Sequence, residues 1–124
     1  MQGGEILYEI IFYETEDGKC PVEDFLDGLE PKMMAKVLRT INLLETNGCM
    51  LREPYSKSIG DGILELRTKL GSNVTRVLYF FVSGKKAILT NGFIKKTDET
   101  PKSEIDTAKK YRDDYERQMK NEKL

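Results

Sequence analysis

The sequence predicts an α+β fold, formed as one domain over residues 1–124. Three observations carry that prediction. Residues 62–97 hold three β-rich runs joined by short turns at Gly71-Ser72-Asn73 and Ser83-Gly84, the pattern of an antiparallel meander. Residues 21–47 hold two stretches with apolar residues at helical spacing, opened by Pro21 and Pro31. The 124 residues are 39% hydrophobic, enough for a core that needs no disulfide or metal staple.

Ile6 to Glu14, rich in β-branched and aromatic residues, reads as the first strand, and Glu16-Asp17-Gly18 as a turn. The first helix starts at Pro21, with Val22, Phe25, Leu26 and Leu29 on its apolar side and Gly28 near its end. The second starts at Pro31, carries the stripe Met34, Val37, Leu38, Ile41 and Leu44, and ends near Asn47-Gly48. So short a linker predicts an antiparallel helical hairpin lying on one face of the sheet. Residues 49–62 show neither periodicity and read as an irregular loop bearing Arg52, Tyr55 and Lys57. In the meander, Val74 to Val82 is apolar almost throughout, as a central strand is. The run before it alternates, with Leu64, Leu66 and Leu70 on one face and Glu65, Arg67 and Lys69 on the other. Thr100 and Pro101 suit the start of a C-terminal helix with Ile105, Ala108, Tyr115 and Met119 as a partial stripe. The element order is therefore β-α-α-β-β-β-α. Periodicity leaves the order of strands within the sheet open.

Composition removes several function classes. There is no histidine, so the usual zinc chemistry and the Ser-His and Cys-His nucleophiles lose their central residue. Cys20 and Cys49 lack a CxxC spacing and read as reduced thiols. No apolar run approaches the ~18 residues of a membrane span. The Met1–Glu5 start has no basic segment leading into an apolar one, which predicts a cytoplasmic protein without a secretory signal. The net charge of −1 conceals a strong asymmetry. Residues 1–49 carry 4 Lys/Arg against 10 Asp/Glu, whereas residues 50–97 carry 9 against 3. The meander is a basic block in a near-neutral chain, and phosphate is the natural partner of such a block. Lys85 and Lys86 at a hairpin tip need only keep an edge soluble. Arg67 and Arg76, within strands, need another explanation.

Four motifs in order resemble the RelE/HigB-type toxins of bacterial type II toxin–antitoxin systems, in particular their phage-related HigB-like branch. They are Leu64-Glu65-Leu66-Arg67, Arg76-Val77-Leu78-Tyr79-Phe80, Gly92-Phe93-Ile94-Lys95-Lys96-Thr97, and the Thr-Pro-Lys-x-Glu-Ile-x-x-Ala pattern from Thr100 to Ala108. The resemblance implies a small RelE-like fold whose concave sheet face, opposite the helical hairpin, receives RNA. It implies cleavage of mRNA in the ribosomal decoding site, with no metal or other cofactor. The implied partners are the ribosome, mRNA and a cognate helix-turn-helix antitoxin, with the free toxin a monomer and no membrane involved.

Cleaving RNA through its own 2′-hydroxyl requires a proton lost, a phosphorane held and a proton delivered to the departing 5′-oxygen. Arginine transfers protons poorly but holds a phosphorane well through its planar fork. A lysine crowded by other cations can act as acid or base. Arg67, Arg76, Lys95 and Lys96 supply these residue types as catalytic candidates. RNA-binding candidates are Lys69, Phe93, which can stack on a base or pack in the core, and Tyr55 and Lys57, which can stack and hold a phosphate or be ordinary loop residues. Phe93 and Lys95 share one strand face; Ile94, which should face the helices, and Lys96 share the other. Family members that use a histidine or a C-terminal tyrosine have no counterpart here, where Tyr111 and Tyr115 sit on a helix, so the general base stays open. Two other readings compete. One is a ParE-like relative that inhibits DNA gyrase, and the other a non-catalytic phage or prophage module that binds a partner protein.

Overall fold

A computed structural model describes residues 7–122. Ile6 and the Met1–Glu5 start lie outside the described residues. The chain forms β1 (Glu9–Phe12), α1 (Pro21–Asp27), α2 (Pro31–Asn47), β2 (Ser56–Gly60), β3 (Ile63–Leu70), β4 (Asn73–Val82), β5 (Lys86–Ile94) and α3 (Lys102–Glu122). The architecture is α+β. The five strands make one sheet in the order β1-β5-β4-β3-β2, antiparallel except where β1 runs parallel to β5. β4 lies at the centre and is buried over most of its length, as its continuous apolar run requires. Among the described residues no helix is long and apolar enough to cross a membrane.

Helices pack on both faces of the sheet. On one, α1 packs over β5 and α2 over β3. Val22, Leu26, Val37, Ile41 and Leu44 bury there against Leu66, Val77, Tyr79 and Leu89. Gly92 lets α1 sit this close, because a Cβ there would lie 2.5 Å from the Phe25 ring. The α2 stripe is rotated from its expected setting. Met33 and Thr40 are buried while Leu38 is exposed, because Thr68 Oγ1 donates to Thr40 Oγ1 at 2.9 Å and fixes the helix over β3.

α3 lies across the other face. Ala108 packs on Ile63 and Leu78, Tyr115 meets Phe80 edge-on, and Tyr111 stacks on Tyr13 at 4.7 Å. The helix is otherwise polar and is clasped at both sides. Tyr13 donates its hydroxyl to Asp114, while Lys109 Nζ reaches Asp61 Oδ2 at 2.7 Å. The face opposite α1 and α2 is therefore half covered, and only its end near the β3–β4 turn stays open.

Ser56–Gly60 forms an edge strand where the sequence reads as a loop. Its residues have no apolar alternation, and what holds it is backbone pairing to β3 together with the buried Ser56 hydroxyl, which hydrogen-bonds Tyr79 Oη. Burial pushes the Tyr79 hydroxyl up from its ordinary range, against the lowering effect of Ser56, so it stays protonated.

Candidate functional site

The open end of the sheet is built from three strands. Arg67 of β3 and Arg76 of β4 stand directly opposite each other in register, and Arg76 in turn pairs with Phe93 of β5. That second pairing depends on a bulge. Leu78 pairs with Asn91 but Tyr79 pairs with Leu89, so Thr90 is an extra residue whose hydroxyl donates to Leu78 O at 3.1 Å. Uninterrupted alternation from Ala87 and Leu89 would carry Phe93 and Lys95 to the α1/α2 face. The one-residue slip moves both to the face of Arg67 and Arg76.

A cleft of about 390 Å³ opens here, lined by Lys36, Tyr55, Arg67, Lys69, Arg76 and Lys95, with Thr40, Pro54, Thr68 and Val74 as its uncharged wall. Five cations and no carboxylate line it. The cleft wraps the edge of β3 where β2 stops. Arg67 N still donates to Tyr55 O at 2.7 Å, which sets the Tyr55 ring beside Arg67, but no strand continues along Lys69. Lys36 arrives from α2, carried there by the Thr40–Thr68 bond one helical turn further on.

Beneath the two arginines lies Glu65, only 1% exposed. Its Oε2 accepts from Arg67 Nε at 2.7 Å, and its Oε1 accepts from Arg76 Nη1 at 3.2 Å and from the Thr100 hydroxyl. A buried carboxylate is tolerated only when paired and hydrogen-bonded, and this one is. Arg76, 2% exposed, also donates from Nη1 to Thr100 Oγ1 at 3.0 Å and from Nη2 to Asp98 O at 3.2 Å. Its guanidinium thus ties the β5–α3 connection to the sheet. Arg67 is more open, and its Nη1 has only a loose approach of 3.7 Å to the exposed Glu53. Lys95 Nζ lies 3.6 Å from the exposed Asp98.

The structure gathers Tyr55, Arg67, Lys69, Arg76 and Lys95 into the cleft. Lys57, on β2, lines an adjoining hollow of about 260 Å³, whose walls also carry Glu65, Asp98 and Glu99. Phe93 is half buried against the Ile63–Leu78–Ala108 cluster under α3. Lys96, beyond the end of β5, is exposed and lines neither hollow. Ile94 lies with Leu29 and Met33 on the α1/α2 side, although it is half exposed. Sequence reading missed Lys36, Glu65 and Thr100. Glu65 had a usable signal, the one acid alternating with cations on its strand face; Lys36 had none, since its place depends on how α2 seats on β3. Among the described residues no group of three or more Cys, Asp or Glu side chains is placed to hold a metal ion.

An arrangement of this kind binds anions. Planar donors and ammonium groups converge on a hollow of roughly nucleotide dimensions, beside an aromatic ring at its rim. Residues 24–113 match the family described as phage derived protein Gp49-like (DUF891). No curated protein matches the chain.

Proposed function

The chain belongs to the Gp49-like family of phage-derived proteins, a RelE/HigB-like toxin family, and on that premise we propose that it is the toxin of a type II toxin–antitoxin system, of the HigB-like branch. In this reading it is a metal-independent, ribosome-dependent mRNA endonuclease that stops translation. One observation carries the proposal: the cleft lined by Lys36, Arg67, Lys69, Arg76 and Lys95 without a single carboxylate. A phosphodiester backbone is the substrate class that such a lining favours. Tyr55, 43% exposed at the rim, offers a face on which a splayed base stacks.

The 2′-oxygen attacks the adjacent phosphorus, its proton passes to water at the open side of the cleft, and the bond from phosphorus to the 5′-oxygen breaks. Arg67 holds the charge that builds on the phosphorane. Lys95, in its ammonium form, delivers a proton to the departing 5′-oxygen. Lys36 and Lys69 hold the flanking phosphates as point charges. Arg76 supports the site from below by fixing the connection that carries Lys95. The few groups available for proton transfer suit an enzyme completed by the ribosome.

The test is to induce the protein and map mRNA 5′ ends against the reading frame, with naked transcript as control. Ends in codon register on translated messages, nearly absent from naked RNA, are expected. Equally fast cutting of both overturns ribosome dependence. No new ends, with a stable antitoxin complex still formed, leaves the protein-binding reading in its place.

A further inference from the structure

We infer that Glu65 is a positioning residue that aims the fork of Arg67 into the cleft while holding Arg76 out of the reaction. The inference rests on reading the cleft as a phosphate site, and three observations support it. Arg67 and Arg76 face each other directly across β3 and β4, an arrangement in which like charges repel. The one carboxylate beneath them serves both, with Oε2 on Arg67 Nε at 2.7 Å and Oε1 on Arg76 Nη1 at 3.2 Å. The two guanidinium groups meet it through different edges, and that difference separates their roles.

Glu65 takes Arg67 at Nε. Engaging that inner nitrogen fixes the guanidinium plane and leaves the terminal Nη1 and Nη2 for a ligand, with only a long 3.7 Å ion pair from Nη1 to the exposed Glu53 for that ligand to displace. Two parallel terminal N–H groups are what a phosphodiester's two non-bridging oxygens accept. Arg76 is taken at its terminal nitrogens instead, by Glu65, Thr100 Oγ1 and Asp98 O, so its fork is already filled. Glutamine at position 65 would keep the shape but lose the charge that neutralises one of two facing arginines. Aspartate would be one methylene too short to span both.

The experiment has a binding arm and a cleavage arm. In the first, inorganic phosphate is titrated into the ¹⁵N-labelled protein and the arginine side-chain resonances are followed. The wild type should show an Arg67 Nε–H protected from solvent exchange, with Arg67 Nη signals that move on adding phosphate. Glu65→Gln should weaken phosphate binding about tenfold, and Arg67→Ala should abolish it. In the second arm, Glu65→Gln should lower kcat on translated message by about 10- to 100-fold, the scale of a misaligned donor, with KM little changed. The double variant should be no worse than Arg67→Ala alone, whereas a purely structural role would make the two losses multiply. Phosphate binding by Glu65→Gln equal to wild type, or multiplying losses, overturns the inference. Should Glu65→Gln fail to fold, the wild-type Arg67 Nε–H decides, because rapid solvent exchange there is incompatible with the role. A wild type that binds phosphate in this Glu65-dependent way but cleaves no message refutes the nuclease reading and leaves the positioning role standing.

Discussion

Arg67 and Arg76 are the same side chain set opposite each other, and burial together with the edge each turns to Glu65 divides their work. Arg67→Ala should cut mRNA cleavage by ~100- to 1000-fold, the loss typical of one transition-state donor, and growth arrest after induction measures it. Wild-type arrest by that variant would remove Arg67 from the mechanism. Arg76→Ala should act on the fold instead. It leaves Glu65 without its second cation and frees the β5–α3 connection, costing about 3–5 kcal/mol in a urea titration, as breaking a buried pair does. Lys95 and Lys96 are separated by a similar comparison. Lys95 lines the cleft and Lys96 does not, so Lys95→Arg, which keeps the charge but cannot give up its proton at neutral pH, should be nearly as inactive as Lys95→Ala, while Lys96→Arg stays close to wild type. An active Lys95→Arg would make that lysine a phosphate anchor only. Alternation alone placed Glu65 with Arg67 and Phe93 with Lys95. It could not show that Glu65 is buried, because burial depends on what packs above it.

Among the elements, α3 decides how much of the basic face stays open. Its sequence is mostly polar and its only fully buried side chain is Ala108, so polar clasps to the sheet carry much of its docking. The Tyr13 hydroxyl holds the Asp114 carboxyl below its ordinary 3.8, helped by Gln118 and Arg117. Burial, followed by the Asp114 carboxylate, holds Tyr13 well above the usual phenol range, so it remains a donor. A depressed carboxyl contributes stability above its unfolded value and loses it as pH falls through the folded one. Tyr13→Phe, which keeps the ring stacked on Tyr111, should therefore lower the thermal midpoint by about 3–6 °C at pH 7, the effect of one lost hydrogen bond. That gap should close as the pH falls through the lowered folded-state value of Asp114, below which the carboxyl is protonated in both proteins. A gap that persists in acid would mean that ring packing, not the hydrogen bond, was disturbed. Of the elements themselves, both N-terminal helices begin at the prolines that signal them, and the meander and C-terminal helix stand where their patterns put them. β2 was hidden because an edge strand of Ser, Lys and Gly is held by backbone bonds and one buried hydroxyl, neither of which leaves an apolar pattern.

For the molecule as a whole, a cationic cleft on a near-neutral chain predicts weak, salt-sensitive contact with free RNA. Binding of a labelled single-stranded RNA should fall with salt at a log–log slope of roughly −2 to −3.5, as for three to five phosphate contacts. A slope near zero would mean that the cleft does not hold the backbone. An acidic antitoxin segment would compete for the same cations, so a co-expressed cognate antitoxin should co-purify with the toxin and rescue growth; failure of both counts against the toxin reading. Features set by neighbours along the chain are legible without the fold. The helix starts, the meander turns, the faces of β3 and the basic block all follow from local sterics, hydrophobic period and composition. Tertiary structure decided what depends on partners far apart in sequence. It placed β1 parallel beside β5, laid α3 over half of the basic face, brought Lys36 to the cleft through Thr40 and Thr68, and set Glu65 between two arginines. The bulge at Thr90 shows the physical reason most directly. Side chains alternate strictly along a strand, so one extra residue, fixed by pairing with β4, turns Phe93 and Lys95 from the α1/α2 face to the side where Arg67 stands.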